Sequence, residues 1–243
     1  QIPPYYSNID FTATDNTLKK QINTLITTTH TNLLPYTSSS TETWHVIKSS
    51  DLVPANNQNI LLLYGYDDND NIYKTDRTRN VNSNCTSNNC IGLWNREHVY
   101  AKSVANPSLD TSYPSAGTDV HNLRSSDSQM NSSRNNRVFE SGNGNSTITT
   151  SGNFYPGDEW KGDIARIIMY MYVRYPDQCF ANDIAYSTNS THQDMPDIFL
   201  QWNVEDPVSP FEIQRNNVIA SVQGNRNPFI DNPYISTLIW GGT

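Results

Sequence analysis

The sequence predicts an α+β fold, a single mixed domain over residues 1–243 that is helix-rich toward the C-terminus. Three observations carry this expectation. Several stretches repeat apolar residues at three- and four-residue spacing, shorter runs are continuously apolar, and no internal repeat or linker divides the chain. At 243 residues it is long enough to bury a full core.

The first helix is expected over residues 15–34, with Leu18, Ile22, Leu25 and Ile26 on one face, Asp15 as N-cap and Pro35 as the stop. Residues 44–47 and 60–66 read as short strands, the second buried because Ile60-Leu61-Leu62-Leu63-Tyr64 is unbroken. The acidic turn Asp67-Asp68-Asn69-Asp70-Asn71 resembles half a calcium loop but lacks the glycine and closing glutamate of an EF-hand, so it is taken as a solvated turn. A loop over 80–89 precedes an apolar strand at 91–100, and a proline-bearing loop occupies 103–117. Residues 126–139 look helical, 141–152 are loop, and 158–175 form the strongest helix of the chain. Shorter helices are expected at 197–204 and 210–222, the latter capped by Gly224, with an irregular tail over 225–243.

Charged residues are only 16% of the chain, against about 25% in an ordinary domain, and Asn, Ser and Thr fill the gap. Fourteen Tyr, seven Phe and five Trp supply large apolar anchors and exclude a disordered chain. No apolar run approaches the roughly 20 residues of a membrane span; the patch at 164–173 is broken by Arg166. The opening Gln1-Ile2-Pro3-Pro4 is what a mature exported protein would show once its signal peptide had been removed. Cys85 and Cys90 bracket four polar residues and are expected to close a small disulfide loop worth about 2–3 kcal/mol, which also fits an exported protein; Cys179 is left over.

The net charge of −8 argues against a passive nucleic-acid coat, but its distribution matters more than its sum. Eight basic residues (Lys74, Arg77, Arg79, Arg96, Lys102, Arg124, Arg134, Arg137) stand against five acidic ones between 74 and 137, a balance of +3 that leaves −11 on the flanks. A polyanion would find one local foothold on an otherwise repelling surface.

Inside that segment His98 directly follows Glu97. Neighbours on a regular strand face opposite ways, so for both to serve one site the strand must end or bulge there. A second cluster runs Asp119-Val120-His121-Asn122-Leu123-Arg124, then Asp127, Asn131, Arg134, Asn135 and Asn136. On a helix, Asp127, Asn131 and Arg134 share a face at i, i+4 and i+7. Oxygen ligands with a guanidinium suit a hard cation and a phosphate, and suit equally an exposed polar face or a capping network. His30, His45 and His192 read as structural, and His121 as structural or supporting.

Trp94-Asn95-Arg96-Glu97-His98-Val99-Tyr100-Ala101-Lys102-Ser103 resembles the signature of the endonuclease I family of exported bacterial nucleases. The block 119–124, with Asn131 and Arg134-Asn135-Asn136 behind it, is similar to that family's second block, and Gly162-Asp163-Ile164-Ala165-Arg166 with Met169-Tyr170-Met171 to its third. Asp206-Pro207-Val208, Phe211-Glu212, Arg215-Asn216 and residues 223–229 resemble a fourth. The blocks follow the family's order. Gly117 stands where some members carry a glutamate, Tyr100-Ala101 where Trp-Pro is common, and Asn135 where glycine is common.

The resemblance implies a ββα-metal motif at roughly 91–140. It implies a non-specific, metal-dependent endonuclease acting on DNA and RNA to give 5′-phosphate products. His98 falls on the general base, Glu97 and Asn131 on the metal ligands, and Arg134 is placed beside them in the catalytic group. One carboxylate and one amide suit Mg²⁺, with Mn²⁺ or Ca²⁺ able to replace it. Imidazole near its ordinary value of about 6.5 is half available as a base at neutral pH. Lys102, Arg124, Arg226 and Asn227 are the expected substrate contacts. A secreted or periplasmic bacterial monomer follows, with no membrane partner. The rivals are an extracellular ribonuclease of the same fold and a secreted nucleic-acid-binding or adhesion module that does not cut.

Overall fold

The computed structural model describes residues 3–87 and 90–242. The opening Gln1-Ile2, the Asn88-Asn89 half of the cysteine loop and Thr243, on which expectations above touched, lie outside them. The mixed α+β class is as expected: eight α-helices and three small sheets are found among the described residues.

Helix α1 (Asp15–Thr28) buries Leu18, Ile22 and Ile26 at four-residue intervals. It begins at Asp15, with Thr14 in the cap position, and stops well before Pro35; residues 30–34 run on without helix. Residues 44–47 are not a strand. They lie in α2 (Thr43–Ser50), whose buried positions Thr43, Val46, Ile47 and Ser50 follow i, i+3, i+4, i+7. Strand β1 (Asn59–Leu61) pairs antiparallel with β2 (Thr78–Asn80). The acidic turn lies between them and is occupied with itself. Asp68 accepts the Arg77 and Thr78 amides, and Asp70 accepts the Ile72 amide and the Thr75 hydroxyl.

Strand β3 (Trp94–His98) pairs antiparallel with β4 (Leu123–Asp127), and α3 (Ser128–Arg134) follows directly, giving a ββα unit. The helix expected over 126–139 is therefore cut at both ends. Ser126 and Asp127 belong to β4, and Phe139 opens β5 (Phe139–Glu140). Asp127 is the N-cap of α3: its Oδ1 accepts the Gln129 and Met130 amides and its Oδ2 meets Arg79 at 2.6 Å. It is a cap and not a metal ligand, because both oxygens are occupied.

Strands β6 (Thr147–Ile148), β7 (Phe154–Tyr155), β5 and β8 (Ala185–Tyr186) form the third sheet in that order. Helix α4 (Lys161–Arg174) is buried on every side from Gly162 to Val173, as a mostly apolar central helix is, and its two buried charges, Asp163 and Arg166, are paired with Arg124 and Glu212. It packs against α1 and against α5 (Asp197–Glu205). A Cβ on Gly162 would lie 2.2 Å from the Asp206 carbonyl, so only glycine lets α4 start this close to the end of α5. Helix α6 (Pro210–Gln223) carries a capping box between Ser209 and Glu212 and ends on Gly224 at φ 94°.

The tail is not irregular. Asn227 caps α7 (Pro228–Asp231), and α8 (Ile235–Trp240) follows, with Trp240 stacked on Phe229 and Tyr172. Two apolar clusters result. A large one surrounds α4, and a smaller one joins Val46, Ile47, Ile60, Trp94, Leu123 and Ile219 beneath the ββα unit. No helix among the described residues is long and apolar enough to cross a membrane.

Candidate active site

A cavity of about 450 Å³ opens where β3 ends, lined by Glu97, His98 and Lys102 on one side and by Asn131, Ser132 and Asn136 of α3 and its C-terminal end on the other. Asn95 and Glu97 reach it at i, i+2 on the same strand face, as the pleat requires. His98 reaches it because β3 stops at that residue. The alternation that would have turned the ring away no longer applies.

Each of the three central side chains is fixed on one atom and leaves another unengaged. His98 Nε2 lies 2.8 Å from the Gly117 carbonyl oxygen. A carbonyl can only accept, so Nε2 carries the hydrogen and Nδ1 keeps its lone pair. The Tyr36 ring stacks on the imidazole at 5.6 Å and 29°. Glu97 Oε1 accepts from the Tyr64 hydroxyl at 2.9 Å and from Arg134 at 3.0 Å, and its Oε2 takes no hydrogen bond among the described residues. Asn131 donates to Asn95 Oδ1 at 2.8 Å and to the Arg96 carbonyl at 3.3 Å, so its carbonyl oxygen remains available.

The electrostatics follow from burial. Burial pushes the Glu97 carboxyl up to about 7, although Arg134 and Tyr64 pull the other way. A carboxylate this poorly solvated gains strongly from a cation. Burial pushes His98 down to about 4, well below the ordinary 6.5, so the ring is essentially neutral at pH 7, more fully so than a free imidazole.

One anionic and one neutral oxygen, with room for water, fit a hard divalent ion that keeps much of its hydration. Among the described residues no group of three His, Cys, Asp or Glu could hold a metal, which excludes the all-protein cage of a structural zinc.

Gly117 packs directly against the Asp110 backbone. A Cβ there would sit 2.1 Å from the Asp110 carbonyl, so no other residue fits this backbone. The position contributes its main-chain oxygen to His98, where a side chain had no place. Asn135 has φ 51° and ψ −126°, outside the left-handed helical region and in one that glycine adopts far more readily than a residue with a side chain.

Other residues expected at the site are elsewhere or otherwise engaged. Arg134 is fully buried, giving Nη1 to Glu97 and the His98 carbonyl and Nη2 to the Val99 carbonyl. It cannot touch a substrate; it holds the end of β3. Arg124, also fully buried, pairs with Asp51 at 3.2 Å and Asp163 at 2.8 Å. Asn227 is buried as the cap of α7, and Arg226 commits its guanidinium to Asp231 and Asn217. None of these three lines the catalytic cavity, and each is held by partners elsewhere in the fold, although Arg124 Nη2 has no partner among the described residues. Lys102 alone of the expected contacts is exposed on the cavity, its Nζ 3.3 Å from Thr111 Oγ1. His121 is buried with Nε2 on the Asn225 carbonyl, beside Asp119, which caps its amide and accepts from Tyr170, Tyr175 and Gln223.

Sequence reasoning missed Tyr36, Tyr64 and the Gly117 carbonyl. The tyrosines lie 62 and 33 positions from the residues they hold and carried no local signal. Asn95 was within reach, since it stands two residues before Glu97 on the same face.

Residues 14–234 match the sequence profile of the endonuclease I family. The chain belongs to the endonuclease I family. Its relatives include the extracellular ribonuclease of Bacillus subtilis (strain 168), 39% identical over 215 residues that cover 83% of this chain and 68% of that protein. The extracellular ribonuclease of Bacillus amyloliquefaciens is 38% identical with the same coverage. Endonuclease-1 of Buchnera aphidicola subsp. Baizongia pistaciae (strain Bp) is 29% identical over 135 residues, half of this chain and 49% of that one. Membership makes the chain a nuclease, with nucleic acid as its substrate. The disulfide Cys85–Cys90 is formed, and Cys179 is a buried free thiol.

Proposed function

We propose that this nuclease is a secreted, monomeric endonuclease that hydrolyses phosphodiester bonds in RNA and DNA with little sequence preference. It uses one divalent cation, Mg²⁺ or Mn²⁺ in its place, and leaves 5′-phosphate ends. One observation carries the reading: His98 Nδ1, Glu97 Oε2 and Asn131 Oδ1 all take no hydrogen bond among the described residues and all belong to side chains lining one cavity.

Glu97 and Asn131 would hold the cation. When bound, it supplies positive charge against the extra negative charge on the phosphate and the departing 3′ oxygen. His98 Nδ1 takes a proton from the attacking water while Gly117 and Tyr36 keep the ring in the tautomer and plane that present the lone pair. The imidazolium that forms faces an anionic phosphate, which stabilises it. Arg134 and Tyr64 are positioning residues: they fix Oε1 so that Oε2 stays turned to the cation. Backbone contacts carry no base information, which accounts for the lack of sequence preference.

Incubation with plasmid and with RNA, with Mg²⁺ and with a chelator, tests the reading. Cleavage of both that stops on chelation is expected. Intact substrate in Mg²⁺ would leave a binding or adhesion module. A narrower reading, preference for RNA, is favoured by the two extracellular ribonucleases at 39% and 38% identity. Rates on duplex DNA, single-stranded DNA and RNA under one condition decide it.

A further inference from the structure

A second cavity, about 490 Å³, lies along the same helix. Lys74, Asn95, Gln129, Ser132 and Ser133 line it, with the Cys85–Cys90 disulfide as one wall. Asn95 and Ser132 also line the catalytic cavity, so the two are neighbours across these side chains. No carboxylate lines the second cavity, although the chain carries 24 Asp and Glu and a net charge of −8.

Its one cation stands out from the rest of the basic segment. Of the eight basic residues between 74 and 137, Arg77, Arg79, Arg124 and Arg134 are tied up in ion pairs. Lys74, Arg96, Lys102 and Arg137 are in none among the described residues. Arg96 and Lys102 line the catalytic cavity and Lys74 the second, so three of these four unpaired cations lie on this double cleft, Arg137 being the exception. Arg96 is clasped between the rings of Tyr36 and Trp44, 3.4 and 4.1 Å from their centroids, which leaves the two lysines as its mobile cations.

Next to Lys74 in the chain, and just outside the cavity's own lining, Tyr73 is 58% exposed, with the Arg79 guanidinium 5.8 Å from its ring centroid. It is propped from below by Gly92, whose Cβ, were there one, would stand 3.4 Å from the ring; Gly92 lies just past Cys90. Ile72 and Ile91, the sequence neighbours of this contact, are also largely exposed. An exposed aromatic ring next to a cation is how proteins hold an unpaired base and its phosphate.

We propose that the second cavity is a subsite for a nucleotide flanking the scissile phosphate in single-stranded nucleic acid, with Lys74 on its backbone phosphate and Tyr73 beneath its base. The proposal rests on the nuclease reading for the class of ligand. A duplex hides its base faces in its own stack, so Tyr73 adds affinity for single strands alone.

The test is equilibrium binding of a fluorescent single-stranded RNA to the His98→Ala protein across a range of salt. Lys74→Gln should weaken binding and flatten the slope of log K against log salt by about 0.7, the release expected for one phosphate contact on a single strand. Tyr73→Ala should weaken single-strand binding about tenfold, as loss of one stacked base does, and leave duplex binding unchanged. Lys48→Gln, a lysine on α2 that lines neither cavity, is the control and should keep the original slope. An unchanged slope in Lys74→Gln, or equal losses on single strand and duplex in Tyr73→Ala, would overturn the subsite. Wild-type cleavage assayed alongside separates the two ideas. If the wild type cuts RNA while Lys74→Gln binds like its parent, the subsite falls alone. If the wild type cuts nothing in Mg²⁺, the nuclease mechanism falls and the binding slopes still judge the subsite.

Discussion

Glu97 and Arg124 face each other in register across β3 and β4, yet the two ends of this hairpin's chemistry are opposite in kind. Around Arg124 the charges close on one another. Asp51 meets both Arg124 and Arg215, Arg124 continues to Asp163, and Arg215 also gives hydrogen bonds to the Val120 and Leu123 carbonyls. Arg166 and Glu212 form a two-pronged pair nearby, at 2.6 and 2.9 Å. All of these are buried and share no contact with the catalytic cavity. At the cavity, Glu97, His98 and Asn131 are each anchored through one atom and leave another open among the described residues. Charged residues in a motif therefore do two different jobs, and what separates them is whether the unpartnered atom opens on the catalytic cavity; Arg124 Nη2 also lacks a partner among the described residues but is shut in the core.

That contrast can be broken at several points. The largest effect is expected at His98. His98→Ala should lower kcat by about 10²–10⁴-fold, the range for loss of a general base, with little change in the unfolding midpoint. Arg124→Ala should do the reverse, costing about 3–5 kcal/mol in urea unfolding because Asp51 and Asp163 are left buried beside a missing partner. A protein that remains folded should keep its kcat. If Arg124→Ala abolished turnover without destabilising the fold, the division between the two regions would be wrong.

Tyr64→Phe probes the border between them. It removes one of two hydrogen bonds on Glu97 Oε1 and should weaken divalent-ion affinity by about 10–100-fold while the ring still fills the core against Phe154. A metal titration of the variant against wild type reads this directly.

The smallest effect per pH unit belongs to the buried polar cluster around Asp119. Burial holds His121 down at about 4, against about 6.5 in the unfolded chain, although Asp119 pulls it up. Between those values the unfolded state binds the extra proton, so stability rises with pH across the window and is lost as pH falls from about 6.5 to 4. His121→Gln should flatten the dependence of unfolding free energy on pH there, by at most about 1.4 kcal/mol per unit. An identical slope would place the proton uptake elsewhere, with His30 and His98, also buried and also depressed, as the sources.

Much of the fold was legible because its long helices obey their period: α4, α5 and α6 start and stop close to where the sequence places them, and Gly224 closes α6 as expected. What failed was short. Helix α2 buries Thr43 and Ser50 in two of its four inward positions, so counting apolar residues hides its period. Helix α7 is four residues and α8 six, too brief for periodicity, and α8 buries Ser236. At the site, Glu97, His98 and Asn131 stood out by their motif, and the end of a strand at His98 followed from requiring both neighbours to serve one cavity. The arginines could not be sorted in advance. A guanidinium aimed at Asp51 looks the same in a sequence as one aimed at phosphate, and its partners come from 73 and 39 positions away.

The pairing of Glu97 and Asn131 around one cation is best tested by titrating Mn²⁺ into the wild type, Asn131→Ala and Asn136→Ala, with free ion read by its paramagnetic resonance signal. Both asparagines line the cavity and both leave a carbonyl oxygen spare among the described residues, but Asn136 donates to Ser103 whereas Asn131 is held by β3, beside Glu97. One tight site in the wild type, kept in Asn136→Ala and lost in Asn131→Ala, is the predicted result. Retention in Asn131→Ala with loss in Asn136→Ala would contradict it.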